Sequence, residues 1–174
     1  MFYSDDQGKS WRQSSIVDIP ASKRGADEPG VIELKDGRVL QIVRSDLGQI
    51  YRSLSADAGA TWSAPEPMGL TAPTAPSSVA RIPSTGDLLM VWNNNKPGAV
   101  HTQDRFPLTA AISRDEGRSW QHFRNLDETP GFTFAYTSIT FMASGEVLFT
   151  YHAERAKRFS LKQRIVPVAW MYGR

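Results

Sequence analysis

Cysteine is absent from the 174 residues, which excludes a disulfide framework and thiolate metal sites while leaving the cellular compartment open. Long apolar runs are also missing. None approaches the roughly 20 residues that span a bilayer, so no membrane partner is expected. Charge of one sign is scarce: 20 basic against 18 acidic residues give a net charge of +2, too little to point to nucleic acid. The three histidines, His101, His122 and His152, lack metal-ligand spacing. Helix signals are sparse, and the opening Met1-Phe2-Tyr3-Ser4 carries neither a basic leader nor an apolar signal core.

What the chain does have is a repeat. Ser4–Trp11, Ser55–Trp62 and Ser113–Trp120 all read S-x-D-x-G-x-[S/T]-W, at offsets of 51 and 58 residues. A self-similar period of that size points to a propeller or solenoid. Each fixed letter has a physical reason. The glycines suit a turn with positive φ, and the aspartates can accept hydrogen bonds from the turn's own backbone. Trp11, Trp62 and Trp120 then open the next strand with apolar surface that can wedge between sheets. A calcium loop would need a further Glu at a set spacing, and it is missing. The box is therefore read as structural.

A second repeat interleaves with the first. Lys35–Arg38, Ser84–Asp87 and Ala143–Glu146 lie between short β-type runs, as hairpin turns should. The runs are Val31–Leu34 and Val39–Arg44, Ser78–Ile82 and Leu88–Asn93, Thr137–Phe141 and Val147–His152. A third run, Ile50–Ser55 or Leu108–Ser113, leads into a box, and a fourth begins at its Trp. The unit is one four-stranded antiparallel sheet, A to D, the blade of a β-propeller. The expected fold is all-β with about three blades in a single domain: residues 1–20 end one blade, 28–70 and 76–125 are complete, and 132–174 close the arc. Asp104–Thr109 and Ala153–Arg158 read as loops, and Ser160–Tyr172 as a strand that closes a sheet with another part of the polypeptide. Propellers typically have 4–8 blades, so about three cannot close. The expectation is either a truncated chain or one that completes its ring with a partner, such as a second copy.

This topology gathers the start of A, the end of B and the start of C at one end of each sheet. Glu28 before strand A, Arg44 at the end of strand B, Arg105 before strand C and Tyr136 opening strand A fall there, with Trp92 and Asn93 at the end of another strand B. A carboxylate, two guanidiniums and a phenol make an anion-binding reaction centre. The same residues have plainer readings. Glu28 and Arg44 can be a sheet-end ion pair, Arg105 a surface partner of Asp104, and Tyr136 an inner-strand aromatic alternating with Phe132 and Phe134.

The three boxes resemble the Asp-boxes, or BNR repeats, of the sialidase superfamily. EPGVIELKDGRVLQIVR resembles that family's stretch with a Glu sixteen positions before an Arg, DRFPLTAAISRDEGRSW the segment where another clamp arginine precedes a box, and FAYTSITFMASGEVLFTYH the segment with the catalytic tyrosine. The resemblance covers nearly the whole chain and implies a propeller that is six-bladed when complete. It further implies exo-acting hydrolysis of a terminal acidic sugar with retention: Tyr136 as nucleophile, Glu28 as its general base, Arg44 and Arg105 in a carboxylate clamp. The topology, not the resemblance, suggests Trp92 and Asn93 as pocket-lining residues, and a turn explains the asparagine as well. A tyrosine suits this substrate class, because an anionic nucleophile would be repelled by the sugar's carboxylate. No cofactor or metal is required. The partner is a glycan or glycoconjugate, and the family resemblance suggests a secreted or periplasmic setting. The family's first clamp arginine and acid/base aspartate belong to N-terminal blades not found here, so the chain alone is expected to be inactive or nearly so. Two other readings stay open: a non-catalytic carbohydrate-binding propeller, and a related hydrolase for a uronic acid.

Overall fold

A computed structural model describes residues 1–173. Thirteen strands form four antiparallel sheets. The first is a two-stranded ribbon, β1 (Phe2–Tyr3) and β2 (Arg12–Gln13). The second runs β3 (Asp27–Glu33), β4 (Val39–Arg44), β5 (Gln49–Ser55) and β6 (Glu66–Thr71). The third runs β7 (Ser78–Arg81), β8 (Leu88–Asn93), β9 (Leu108–Ser113) and β10 (Gln121–Asp127). The last has three strands, β11 (Thr133–Phe141), β12 (Glu146–Arg155) and β13 (Arg158–Pro167), followed by a one-turn helix, α1 (Val168–Met171). Strands pair in sequence order within every sheet. The first strand of the third sheet, β7, touches the first strands on either side, β3 and β11, so the three form the inner wall of an open arc. This is a partial β-propeller.

The period-2 alternation of β8 explains how the sheets stack. All six of its residues are buried. Leu88, Met90 and Trp92 pack with Leu40 and Ile42 of β4, while Leu89 and Val91 pack with Val147, Phe149 and Tyr151 of β12. Successive side chains leave opposite faces of a strand, so one strand feeds two cores. Each large side chain fully buried this way contributes about 1.5–3 kcal/mol.

The three boxes are built alike. In the first, Ser4 Oγ donates to Asp6 Oδ1 at 2.8 Å and accepts from Gly8 N at 2.8 Å; Asp6 then accepts from Ser10 N at 2.8 Å and Ser10 Oγ at 2.6 Å. The second and third boxes repeat these bonds at the same distances, with Thr61 and Ser119 in the last position. The donated hydrogen bonds, led by that of the Ser or Thr hydroxyl, hold Asp6 and Asp57 down at about 2. The tryptophans depart from expectation. Trp11 and Trp62 fold back to donate their indole N–H to the carbonyls of Gly8 and Gly59. Only Trp120 packs against an inter-sheet core.

Other expectations need correction. Glu28 and Tyr136 lie inside β3 and β11 rather than at their entrances. Ala153–Arg158 is no loop: β12 and β13 run through it and reverse at Ala156 and Lys157, which take φ of 51° and 61°. That is the backbone of a tight hairpin turn. Thr109 belongs to β9, and β13 pairs with its own neighbour β12 before the chain turns into α1. The apolar alternation of 160–172 gave no sign of that helical turn.

Candidate active site

At the end of the sheets opposite the boxes, an ion pair and a cation–ring pair stand on either side of β7. The first is Glu28 with Arg44. Glu28 accepts from Arg44 Nη1 at 2.5 Å, and the neighbouring Asp27 accepts from Arg44 Nη2 at 3.1 Å. Arg44 is only 8 % exposed, and its Nε is buried without a hydrogen-bond partner. Asp27 also accepts from Arg24 Nε at 3.1 Å. Burial would raise the Asp27 carboxyl, but the hydrogen bonds and charges of Arg24 and Arg44 outweigh it and hold the group below the usual range.

The second pair is Tyr136 with Arg105. Arg105 donates through Nε and Nη2 to the carbonyl of Thr74, both at 3.0 Å, and its guanidinium stands 5.7 Å from the centre of the Tyr136 ring. That is within cation–π range. On strand β12, the ring of His152 lies 6.1 Å from that of Tyr136 and stacks on Phe159 at 4.8 Å. Tyr136 is 56 % exposed, whereas Phe134, two residues earlier, is buried.

The local backbone explains both placements. Glu28 has φ 45° and Tyr136 has φ 53°, in the left-handed region that non-glycine residues seldom occupy. Each coincides with a register shift, between Asp27 and Gly30 on β3 and between Ala135 and Ser138 on β11. A bulge inserts an unpaired residue and re-aims its side chain. On β11 it breaks the alternation begun by Phe132 and Phe134 and releases Tyr136 from the core. On β3 it lets the adjacent Asp27 and Glu28 reach the same guanidinium, which consecutive residues of a regular strand cannot do. The two bulges are linked through β7: a Cβ at Gly30 would lie 3.6 Å from the Ser77 carbonyl, and Ser78 Oγ donates to the Thr137 carbonyl at 2.7 Å. No hydrogen bond joins Glu28 directly to Tyr136 among the described residues.

Two of the cavities at this end lie on either side of a 3-10 turn at Thr102–Asp104. One, of about 260 Å³, lies beside Arg105, Ala135, His152 and Arg155; the other, of about 480 Å³, lies beside Lys23, Arg24, Asp46 and Thr74. The expectation for Trp92 and Asn93 is not met. Trp92 is 1 % exposed and donates to the Thr71 carbonyl, and Asn93, equally buried, reaches the Pro107 carbonyl at 3.4 Å. Asn94 and Asn95 are tied into the loop by Thr71 and by the Asp104 carbonyl. Asp27 and His152 were missed. The only sequence signal for Asp27 was its adjacency to Glu28, which strand geometry argues against.

The BNR repeat-like domain family matches residues 1–149. A sialidase of Vibrio cholerae is 28% identical over 143 residues, covering 68% of this chain and 18% of that protein. A sialidase of Micromonospora viridifaciens is 27% identical over 185 residues, covering 98% of this chain and 25% of that protein. The chain thus spans a quarter or less of these relatives. Among solved structures, the NanB sialidase of Streptococcus pneumoniae superposes with a TM-score of 0.76 at 21% identity, over 97% of this chain and 27% of that one. The family match, the three Asp-boxes and the partial propeller together place this chain in the BNR repeat-like domain family of the sialidase superfamily.

Proposed function

We propose that this chain is part of an exo-acting glycoside hydrolase of sialidase type, which cleaves a terminal acidic sugar with retention. Tyr136 is the nucleophile, Glu28 its general base, and Arg44 and Arg105 two members of the clamp that holds the sugar's carboxylate. The observation that carries this reading is the matched pair of bulges. Strained backbone at two residues facing the same inner strand costs stability of about 1–3 kcal/mol each, and it aims the carboxylate and the phenol out of the core, where a substrate can reach them.

In the first step the Tyr136 oxygen forms a bond to the anomeric carbon while its proton passes to Glu28. The bond to the leaving oxygen breaks, and that oxygen takes up a proton from an acid outside the assigned residues. In the second step water attacks the anomeric carbon, the bond to the Tyr136 oxygen breaks and that oxygen takes back the proton held by Glu28, and the proton lost by the water restores the acid. Arg44 holds the Glu28 carboxylate in place, and the Arg105 cation near the ring favours negative charge developing on the phenol. None of the assigned residues protonates the leaving group, a contribution of about 10² to 10⁴ in rate. The 174-residue chain alone is therefore expected to be inactive or nearly so, and a ring closed by further blades that supply the proton donor is expected to be active.

The test is a Tyr136→Phe substitution in such a ring, assayed for turnover of a sialoside and for binding of the free acidic sugar. Loss of turnover with binding retained supports the assignment; equal loss of both counts against it. Ordinary turnover by the 174 residues alone would refute the need for a further proton donor.

A further inference from the structure

The Arg44 guanidinium holds two resident carboxylates in this structure. A planar fork binds a carboxylate best through two parallel N–H groups, yet Nη1 is held by Glu28 at 2.5 Å and Nη2 by Asp27 at 3.1 Å. Nε is buried and unpaired. A buried cation is costly without compensating charge, and with two carboxylates on Arg44 one can leave while the other stays. The two residents differ. Glu28 makes the shorter bond, and Arg44 is its only ion-pair partner among the described residues; Asp27 makes the longer one and shares itself with Arg24 Nε at 3.1 Å. The Arg24 side chain is 55% exposed and that of Asp27 34%, against 7% for Arg44, so Asp27 can follow Arg24 outward.

We propose that Asp27 is a specificity-determining residue: it occupies on Arg44 Nη2 the place taken by the carboxylate of an acidic ligand, and Arg24 receives it when that ligand binds. The proposal rests on the clamp reading above. Exchange of one carboxylate for another keeps Arg44 Nη2 in an ion pair, so an acidic sugar enters at modest cost. A neutral sugar has no charge with which to displace Asp27 from Nη2 and does not compete for the place. The Glu28 bulge makes this possible, because it brings the preceding Asp27 onto the same guanidinium.

The experiment is a titration of the 174-residue chain with N-acetylneuraminic acid, and in parallel with neutral N-acetylglucosamine, followed by NMR. Asp27→Asn removes the competing charge and should tighten acidic-sugar binding on the order of tenfold, leaving the neutral sugar unaffected. Asp46→Asn, beside the neighbouring cavity, makes the same change in net charge and should alter binding by less than about twofold. Arg24→Ala leaves Asp27 only Arg44 as a partner and should weaken acidic-sugar binding about threefold. That variant decides the question even where Asp27→Asn folds poorly. If Asp27→Asn binds no tighter than the parent while Arg44→Ala still weakens binding, the role of Asp27 is overturned and the clamp stands. Equal tightening by Asp27→Asn and Asp46→Asn overturns it as well, since net charge then suffices. Absence of acidic-sugar binding in the parent and all variants, or binding indifferent to Arg44→Ala, removes the clamp and the Asp27 proposal with it.

Discussion

Glu28 and Tyr136 share one backbone conformation, with φ of 45° and 53°, each at a bulge on an inner strand that flanks β7. For an L-residue this conformation costs about 1–2 kcal/mol relative to the right-handed region, and a branched Cβ makes it worse. Tyr136→Val is therefore expected to lower stability by about 1–2 kcal/mol although Tyr136 is 56 % exposed. Tyr136→Phe keeps the same Cβ and should change stability by less than about 0.5 kcal/mol. Urea denaturation of both variants checks this, and a Val variant as stable as the Phe variant would mean the bulge is relaxed.

The fold was more legible in the sequence than the site. The boxes were readable because their bonds are local: Ser, Asp, Gly and Ser/Thr meet within a few residues, so spacing encodes geometry. The site depends on bulges, which leave no composition signal. A regular strand would leave Tyr136 in register with the buried Phe134 and send Asp27 and Glu28 to opposite faces. Trp92 failed for the opposite reason. Its place at the end of β8 suggested a rim, but the central sheet is buried on both faces, and its indole is consumed by the Thr71 carbonyl.

Acid should loosen the box end of the propeller. Hydrogen bonds from Ser10 hold Asp6 at about 2, and those from Thr61 do the same for Asp57. Glu116 is likewise held at about 2, chiefly by hydrogen bonds from Arg81, with Lys35 N and the charges of both residues adding to the effect. All three values lie below those of an unfolded chain, roughly 3.9 for Asp and 4.3 for Glu. The stabilisation is thus fully present above about pH 4.3 and is lost as pH falls towards about 2. Circular dichroism against pH should show unfolding in that window. Glu116→Gln should lower stability at pH 7, leave it nearly unchanged at pH 2, and so flatten the profile.

The hairpin between β12 and β13 offers a gain in stability. Ala156 and Lys157 both hold positive φ, where Asn-Gly is the favoured pair for a two-residue turn. Both side chains are exposed, so replacing them breaks no core contact. Ala156→Asn combined with Lys157→Gly should stabilise the chain by about 1 kcal/mol. A thermal scan showing no increase in midpoint would contradict the turn assignment.

The last sheet leaves β13 with one edge unpaired, and Phe159, Leu161 and Ile165 stand 64%, 78% and 50% exposed along it. A strand ten residues long with open N–H and C=O groups and apolar side chains is a template for pairing with another chain. Sheet edges are commonly blunted by an inward charge or a proline; Lys162 and Arg164 turn inward to Asp127 and the Leu126 carbonyl, but Phe159, Leu161 and Ile165 alternate with them on the other face, and Pro167 sits at the far end of the strand. The 174-residue chain should therefore self-associate as its concentration rises, with a mass by light scattering above the 19.4 kDa of one copy. Leu161→Lys places a charge in the middle of the edge and should return the mass towards one copy without altering the circular dichroism. Were the parent a strict monomer at high concentration, the edge would have to be too twisted or too well solvated to pair, and closure of the ring by a second copy would lose its physical basis.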